Sequence, residues 1–566
     1  MSQSDQFNGR LGLIFASIGA AIGTGNIWRF PRMVGANGGG TFLIPWLIFL
    51  FAWSIPLVIA EYAMGKRSRT GTIGTFRIFA GRRFAWMGLW TAWISTAIGF
   101  YYAVVSGWTL KYFQLGITGA LNGEDVDTTE VWNAFLQSPG QVIFFQFIVI
   151  LLVLGTIWKG AKAIEKVNFY LMISLFALLC LTLFLSLWMD LSDGSLDGAL
   201  FMFTVDFDML MEPEVWINGL SQSAWSCSAG MGMCITYAVY MSKDEDTVLN
   251  AFTMGLANNS ISIIAGLAVL SAIFAVESDP LATVTGGSSA ITFLALPQVF
   301  AQAPGGAIGP LVMTAMFFLA LSFAALTSMI STVELCVRNF VDHGYDRERS
   351  VLITGLAIFI FGLPSAMLWI RLDNAGVAFP EFLEVQDHIW GYGLMFSGLF
   401  IAFSIWKYGY IKWRAAVDEG TAPPGFAGYL GLGVSAFRDD FINTGDNDIE
   451  VGRWWDVLIY VAFPVLFFIL MASYFSDMIA NTPNVWDPSN PKGLSIILLF
   501  WGVVAALFIA LNRKLIERPL YRNVPEGADA DISQLPGGSD ELIGQVGDVI
   551  AGFEHLSDSI DAELAD

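Results

Sequence analysis

The chain has 566 residues, 55% of them hydrophobic and 14% charged, with a formal net charge of −21 and a mean hydropathy of +0.61. This composition excludes an ordinary water-soluble domain and marks an integral membrane protein, for which no nucleic-acid partner is expected. Three histidines (His343, His388 and His555) and four cysteines without metal spacing leave a zinc or serine-histidine enzyme little to work with, so no enzyme is expected.

About twelve apolar stretches are long enough to cross a bilayer. They lie near 11–35, 42–65, 85–114, 140–158, 164–189, 215–241, 248–276, 307–340, 350–371, 383–410, 454–478 and 494–516. The first is too long for a signal-peptide core and ends in Arg29, so no cleavable leader is expected. The chain thus divides into a short N-terminal segment (1–10), a transmembrane domain (11–520) and a tail (521–566).

Glycine interrupts two of these stretches. The first reads Ile18-Gly19-Ala20-Ala21-Ile22-Gly23-Thr24-Gly25-Asn26-Ile27-Trp28-Arg29-Phe30-Pro31. The sixth reads Gln222-Ser223-Ala224-Trp225-Ser226-Cys227-Ser228-Ala229-Gly230-Met231-Gly232. Each glycine weakens a helix by about 1 kcal/mol relative to alanine. Backbone released from a helix inside a bilayer is tolerated only where protein or a cavity surrounds it. Stretches 1–5 and 6–10 therefore read as two halves, each opening on a broken helix. An odd number of crossings per half makes the halves point opposite ways. The expected fold is an all-α membrane protein with a 5+5 inverted repeat and two extra spans.

Lys66, Arg67, Arg69, Arg77, Arg82 and Arg83 follow stretch 2, and Lys159, Lys162 and Lys166 follow stretch 4. The connections 117–139, 190–214 and 277–306 hold no Lys or Arg. This bias places the even-numbered connections and both termini in the cytoplasm of a multi-pass cell-membrane protein. Residues 279–306 read as an extracellular loop with short helices between turns, and 411–452 as a polar connection. From Asn523 to Asp566 there are eleven Asp and Glu and no Lys or Arg. There Leu542, Val546, Val549, Phe553, Leu556, Ile560 and Leu564 recur at helical spacing after Ser539-Asp540-Glu541, a capped amphipathic helix. It reads as a solvated tail that docks on the basic loops or as a helix for a cytoplasmic partner.

A helix unwound at mid-membrane presents carbonyls, which suit a cation, and amides, which suit a carboxylate. Hard oxygen ligands for sodium are at hand. They are the carbonyls of Gly19, Ala21 and Ile22 with the Asn26 side chain, the Ser226 and Ser228 hydroxyls, Asn258 in stretch 7, and Ala324, Thr327 and Ser328 on one face of stretch 8. Singly, such residues commonly hold helices together, and Arg29 could snorkel. Their coincidence around two breaks points to an ion and substrate site.

Gly23-x-Gly25-Asn26-Ile27-Trp28-Arg29-Phe30-Pro31, Asn37-Gly38-Gly39-Gly40, Glu61-Tyr62-Ala63-Met64-Gly65, Tyr101-Tyr102, Ile235-Thr236-Tyr237 and Leu326-Thr327-Ser328 resemble the neurotransmitter:sodium symporter family. The likeness runs over about residues 10–480 and includes the bacterial leucine-transporter-like members, whose discontinuous helices define this architecture. The resemblance implies two sodium sites. The first would use the Ala21 carbonyl, Asn26, Ser226, Asn258 and the substrate carboxylate. The second would use the carbonyls of Gly19, Ile22 and Ala324 with the hydroxyls of Thr327 and Ser328. The carboxylate would meet the amides of Thr24 and Gly25 and the hydroxyl of Tyr102. Ile98, Trp225, Ser228, Met231, Ser328 and Thr332 would surround the rest of the substrate. Arg29 with Asp387 would form an outer gate, and Tyr240 with Asp342 would belong to an inner one.

Gly23 stands where monoamine carriers of this family place an aspartate, which favours an amino acid as substrate. Ser262 stands where chloride-independent bacterial members carry a glutamate. With Gln222, Ser226 and Trp46 (usually a tyrosine) it would hold a chloride that balances buried positive charge. Three departures stand out. Ser4 and Phe7 replace an arginine and a tryptophan, so Asp342 lacks its expected partner, and Ala163 and Ile173 replace a glycine and a proline in stretch 5. The expected function is sodium-coupled, chloride-dependent symport of a neutral amino acid across the lipid bilayer by alternating access. The alternative is a substrate-sensing receptor whose tail is the output. A homodimer is compatible with the sequence, which does not fix one.

Overall fold

The computed structural model describes residue 7 and residues 10–123, 126–242, 245–285, 290–373, 382–444, 448–488 and 490–517. The acidic tail with its expected amphipathic helix, and Ser4, lie outside them.

Glycine and the loss of apolar periodicity cut the first stretch into α1a (Arg10–Ala21) and α1b (Gly25–Ala36), bent by 54°. There follow α2 (Gly40–Ser68), α3 (Ala85–Ile117), α4 (Pro139–Ile157) and α5 (Ala161–Asp190). The sixth stretch forms α6a (Pro213–Ser226) and α6b (Met233–Ala238), separated by an unwound turn. The remainder are α7 (Thr247–Val276), α8 (Ile308–Asp342), α9 (Arg347–Asp373), α10 (Asp387–Asp418), α11 (Arg453–Asn481) and α12 (Leu494–Glu517). Among the described residues, ten helices have the length and apolarity of a membrane crossing, and α1a with α1b makes an eleventh. The count of about twelve falls short at α6, whose pieces of 14 and 6 residues are each too short to cross. Short helices Pro280–Thr285 and Leu296–Phe300 occupy the long loop before α8, as expected. The polar connection after α10 is itself largely helical from Phe426 to Ile442.

The two broken helices lie inside the bundle. α1a packs on α5, α7 and α8; α6a and α6b pack on the two ends of α2; and α3 runs against α8. The outer helices turn Phe144, Leu151, Phe176, Phe184, Leu499 and Leu507 outward, where lipid is the solvent. Small residues let the broken helix approach its neighbours. Gly232 has φ +78°, and a Cβ there would stand 2.6 Å from Thr72 and 2.8 Å from Thr91. We expect Gly232→Ala to cost about 2 kcal/mol, since it combines a left-handed backbone with a steric clash. Thermal unfolding in detergent reads this directly. Gly502→Ala on α12 is the control, because a Cβ there meets nothing within 4 Å.

Candidate functional site

The break in α1 can be followed bond by bond. In an unbroken helix each N–H donates to the carbonyl four residues earlier. Here Gly23 N donates instead to Asn26 Oδ1 at 3.0 Å, which leaves the Gly19 carbonyl without that partner. Thr24 N donates to the Tyr102 hydroxyl at 3.0 Å, and the Ala20 carbonyl accepts from Ser228 Oγ at 3.0 Å. Asn26 N donates to Gly23 O at 3.2 Å, and the Ile22 carbonyl accepts from Ser328 Oγ at 3.0 Å. Side chains of α3, the α6 turn and α8 thus replace the lost helical bonds.

Oxygens converge at two points. Asn26 Nδ2 lies 2.8 Å from Asn258 Oδ1, 2.8 Å from Ser262 Oγ, 3.2 Å from Ser226 Oγ and 3.3 Å from Asn258 O. An amide nitrogen carries two hydrogens, so four acceptors around it form an oxygen-rich pocket. The second point lies between α1a and α8. Thr327 Oγ1 donates to Ala324 O at 3.0 Å, beside the Ser328–Ile22 bond, and a Cβ on Gly19 would stand 3.3 Å from Thr327 Cβ. Gly19, Ile22, Ala324, Thr327 and Ser328 are therefore neighbours in space.

Between these points the backbone faces open room. A Cβ on Gly25 meets nothing within 4 Å, whereas one on Gly23 would come 2.8 Å from Ser328 Oγ and 3.0 Å from the Tyr102 hydroxyl. Met231 and Thr332 are buried, and Ile98, Tyr102 and Trp225 are half-buried. The Trp225 ring reaches across to α10, where a Cβ on Gly391 would lie 2.7 Å from it. Buried Trp46 packs on Phe30 at 4.5 Å between ring centroids, and among the described residues its indole N–H has no hydrogen-bond partner, nor has Gln222 Oε1.

The model of the sodium:neurotransmitter symporter family matches residues 4–139 and 136–426. The chain belongs to this family. It is 31% identical over 415 residues to a sodium-dependent transporter of Bacillus subtilis, YhdH, covering 71% of this chain and 88% of that protein. It is 30% identical over 295 residues to the rat sodium-dependent neutral amino acid transporter SLC6A17, covering 46% of this chain and 40% of the other. The crystal structure of MhsT in complex with L-phenylalanine superposes with a TM-score of 0.69 at 28% identity, covering 83% of this chain and 99% of MhsT. Relatives in the symporter family are transporters rather than enzymes.

The two gates that the family resemblance implies differ from expectation. Arg29 and Asp387 form no ion pair in this structure. Arg29 donates to Ser221 Oγ at 3.1 Å, and Asp387 accepts from the Tyr101 hydroxyl at 2.7 Å, so each has a nearer polar neighbour. At the opposite end Asp342 does find a partner. Arg338, one turn earlier on α8, pairs with it at 2.5 Å, and Gly71 N donates to it at 2.6 Å. Their i, i+4 spacing was a readable signal that sequence reasoning passed over.

A second cluster there was missed. Glu334 pairs with Arg347 at 2.6 and 3.1 Å and accepts from the Tyr240 hydroxyl, while Arg347 also donates to Ile157 O at 2.7 and 3.0 Å. Phe7, in place of the usual tryptophan, sets its ring edge-on to Tyr237 and Tyr240 at 6.0 and 5.7 Å. Arg69, just past α2, donates to Val239 O at 3.1 Å and to Met241 O, which ties α2 to the end of α6b. Burial, and then Arg67, lower its pKa to about 10.

Glu61 was quoted in a motif but given no role. Fully buried on α2, it accepts from Gly230 N at 2.6 Å and Ile235 N at 3.4 Å, and so satisfies amides released by the unwound turn.

Removing Arg347 would leave the buried Glu334 carboxylate without its cation. We expect Arg347→Met to cost about 3 kcal/mol. Adding Glu334→Gln should recover part of that loss, with a coupling of about 1–3 kcal/mol in a double-mutant cycle read by thermal unfolding.

Proposed function

We propose that this protein is a sodium-coupled, chloride-dependent symporter of neutral amino acids that works by alternating access. The observation that carries the reading is the convergence of oxygens at Asn26 and at Thr327–Ser328, both against the unwound part of α1. A sodium ion asks for several hard oxygens, which residues around these two points would supply. At the first point these are Ala21 O, Asn26 Oδ1 (after an amide turn), Ser226 Oγ and Asn258 Oδ1. At the second they are the carbonyls of Gly19, Ile22 and Ala324 with the Thr327 and Ser328 hydroxyls.

An amino acid fits between them. Its carboxylate would meet the amides of Thr24 and Gly25 and the Tyr102 hydroxyl. Gly23 stands where monoamine carriers of the family place an aspartate for the amine, which supports a substrate carrying its own carboxylate. Ile98, Trp225, Ser228, Met231, Ser328 and Thr332 would enclose its side chain. Uptake is driven because sodium and substrate together stabilise occluded states that neither favours alone.

Chloride is the finer part of the reading. Ser262 is uncharged, and Glu61 is already committed to the α6 amides. An anion held by Gln222, Ser226, Ser262 and the unpartnered Trp46 indole N–H would offset two cations in a low-dielectric site. With the positive-inside orientation, the Tyr240–Glu334–Arg347 end faces the cytoplasm and the Arg29–Asp387 end faces outward. The inner network is made and the outer pair is not, which supports an outward-facing arrangement.

Sodium-driven uptake of a neutral amino-acid panel into proteoliposomes tests the reading. Wild-type uptake should require chloride, and Ser262→Glu should remove that requirement; uptake indifferent to chloride would exclude the anion site. Thr327→Ala should raise the sodium concentration for half-maximal uptake about tenfold, the loss of one oxygen ligand to a charged group. Gly23→Asp should abolish uptake of every amino acid in the panel.

A further inference from the structure

We propose that Asn168 on α5 is a transient ligand for the sodium ion as it passes between the Gly19–Thr327 site and the cytoplasm. The proposal rests on the symport reading above. Asn168 is fully buried, yet neither its Oδ1 nor its Nδ2 has a hydrogen-bond partner among the described residues. Each buried polar group left unsatisfied costs about 1–3 kcal/mol. Buried asparagine in a membrane helix normally bonds a neighbouring helix. Here its polar neighbour is the Tyr237 hydroxyl, at less than ordinary hydrogen-bond geometry, so most of the amide's bonding capacity is left for something that comes and goes.

Its position says what that is. A Cβ on Gly19 would stand 3.4 Å from Asn168 Nδ2 and 3.3 Å from Thr327 Cβ, so the amide borders the second oxygen cluster. On its other side is the Tyr237 hydroxyl, which shares a 2.8 Å hydrogen bond with Ser331, and Ser331 donates to Thr327 O at 3.0 Å. These groups continue the polar surface from the cluster toward Tyr240 and Glu334. Asn168 is the eighth residue of α5, about 10 Å from the helix start. α5 is a continuous helix at this level, so its backbone carbonyls are occupied and its oxygens on offer are side chains: the Asn168 amide beside Gly19 and, one turn nearer the helix start, the Glu165 carboxylate against Gly12 of α1a. With Oδ1 turned to the ion and the Tyr237 and Ser331 hydroxyls beside it, a partly hydrated alkali cation would find a second foothold one step inward.

Sodium-22 tests this, both as equilibrium binding to the purified protein and as net flux into proteoliposomes supplied with a neutral amino-acid mixture. Asn168→Leu should keep the sodium affinity within about twofold while net flux falls about tenfold, the effect of one lost charge-assisted contact on a barrier. Asn168→Asp should raise the affinity about tenfold and slow the flux, because a carboxylate there would hold the cation. Wild-type flux in Asn168→Leu, loss of affinity and flux together, or an unchanged affinity in Asn168→Asp would each overturn the proposal and leave symport standing. Failure of the wild type to bind sodium-22 would overturn the symport reading and this inference with it.

Discussion

The rest of the structure depends on one constraint: no backbone amide or carbonyl can go without a partner inside a bilayer. Unwinding α1 and α6 breaks that rule locally, and the surrounding side chains restore it. Tyr102, Ser228, Ser328 and Asn26 take up the groups released by α1, and Glu61 takes up those released by α6. The residues that repair the breaks are thus also those that surround the open space at Gly25. A hydroxyl that donates to a carbonyl can instead turn its oxygen to a cation, so the atoms that repair the breaks have the chemistry that the proposed ion sites require.

The same constraint explains how the broken helices are held. α6b lies against α2 and α3 with glycine at the closest approaches; the α6 turn meets α1 through Ser228, and α6b meets α8 through Tyr237. A movement of α6 therefore carries the α1 carbonyls with it. At the end of the bundle marked by Tyr240, two neighbouring arginines, Arg338 and Arg347, are each neutralised by a buried acid on α8. Breaking such pairs exposes charge to a low-dielectric medium, so they favour staying closed until water enters. At the Asp387 end the contacts are single hydrogen bonds to Ser221 and Tyr101, which are less costly to exchange.

Much was legible in the sequence. Composition and run length gave the membrane class and nearly every helix within a few residues, since a bilayer imposes length and apolarity on each crossing separately. Glycine clusters gave the two breaks, because helix propensity is local. Of the residues that the resemblance named, Ser226, Asn258 and Ser262 lie at Asn26, and Ile22 and Ala324 at Thr327–Ser328. Local rules could not give what depends on distant partners. Asp342 seemed partnerless until Arg338 turned toward it, and Glu334 and Arg347 met only once α8 and α9 had packed. The surroundings of Asn168 are likewise invisible in a sequence, because whether a buried amide is satisfied depends on three other helices. What the chain by itself determined is where helices run and where they must break, both properties of a few consecutive residues. Which side chain answers each broken bond was decided by tertiary packing alone, since a hydrogen bond of about 3 Å requires atoms whose separation no local rule sets.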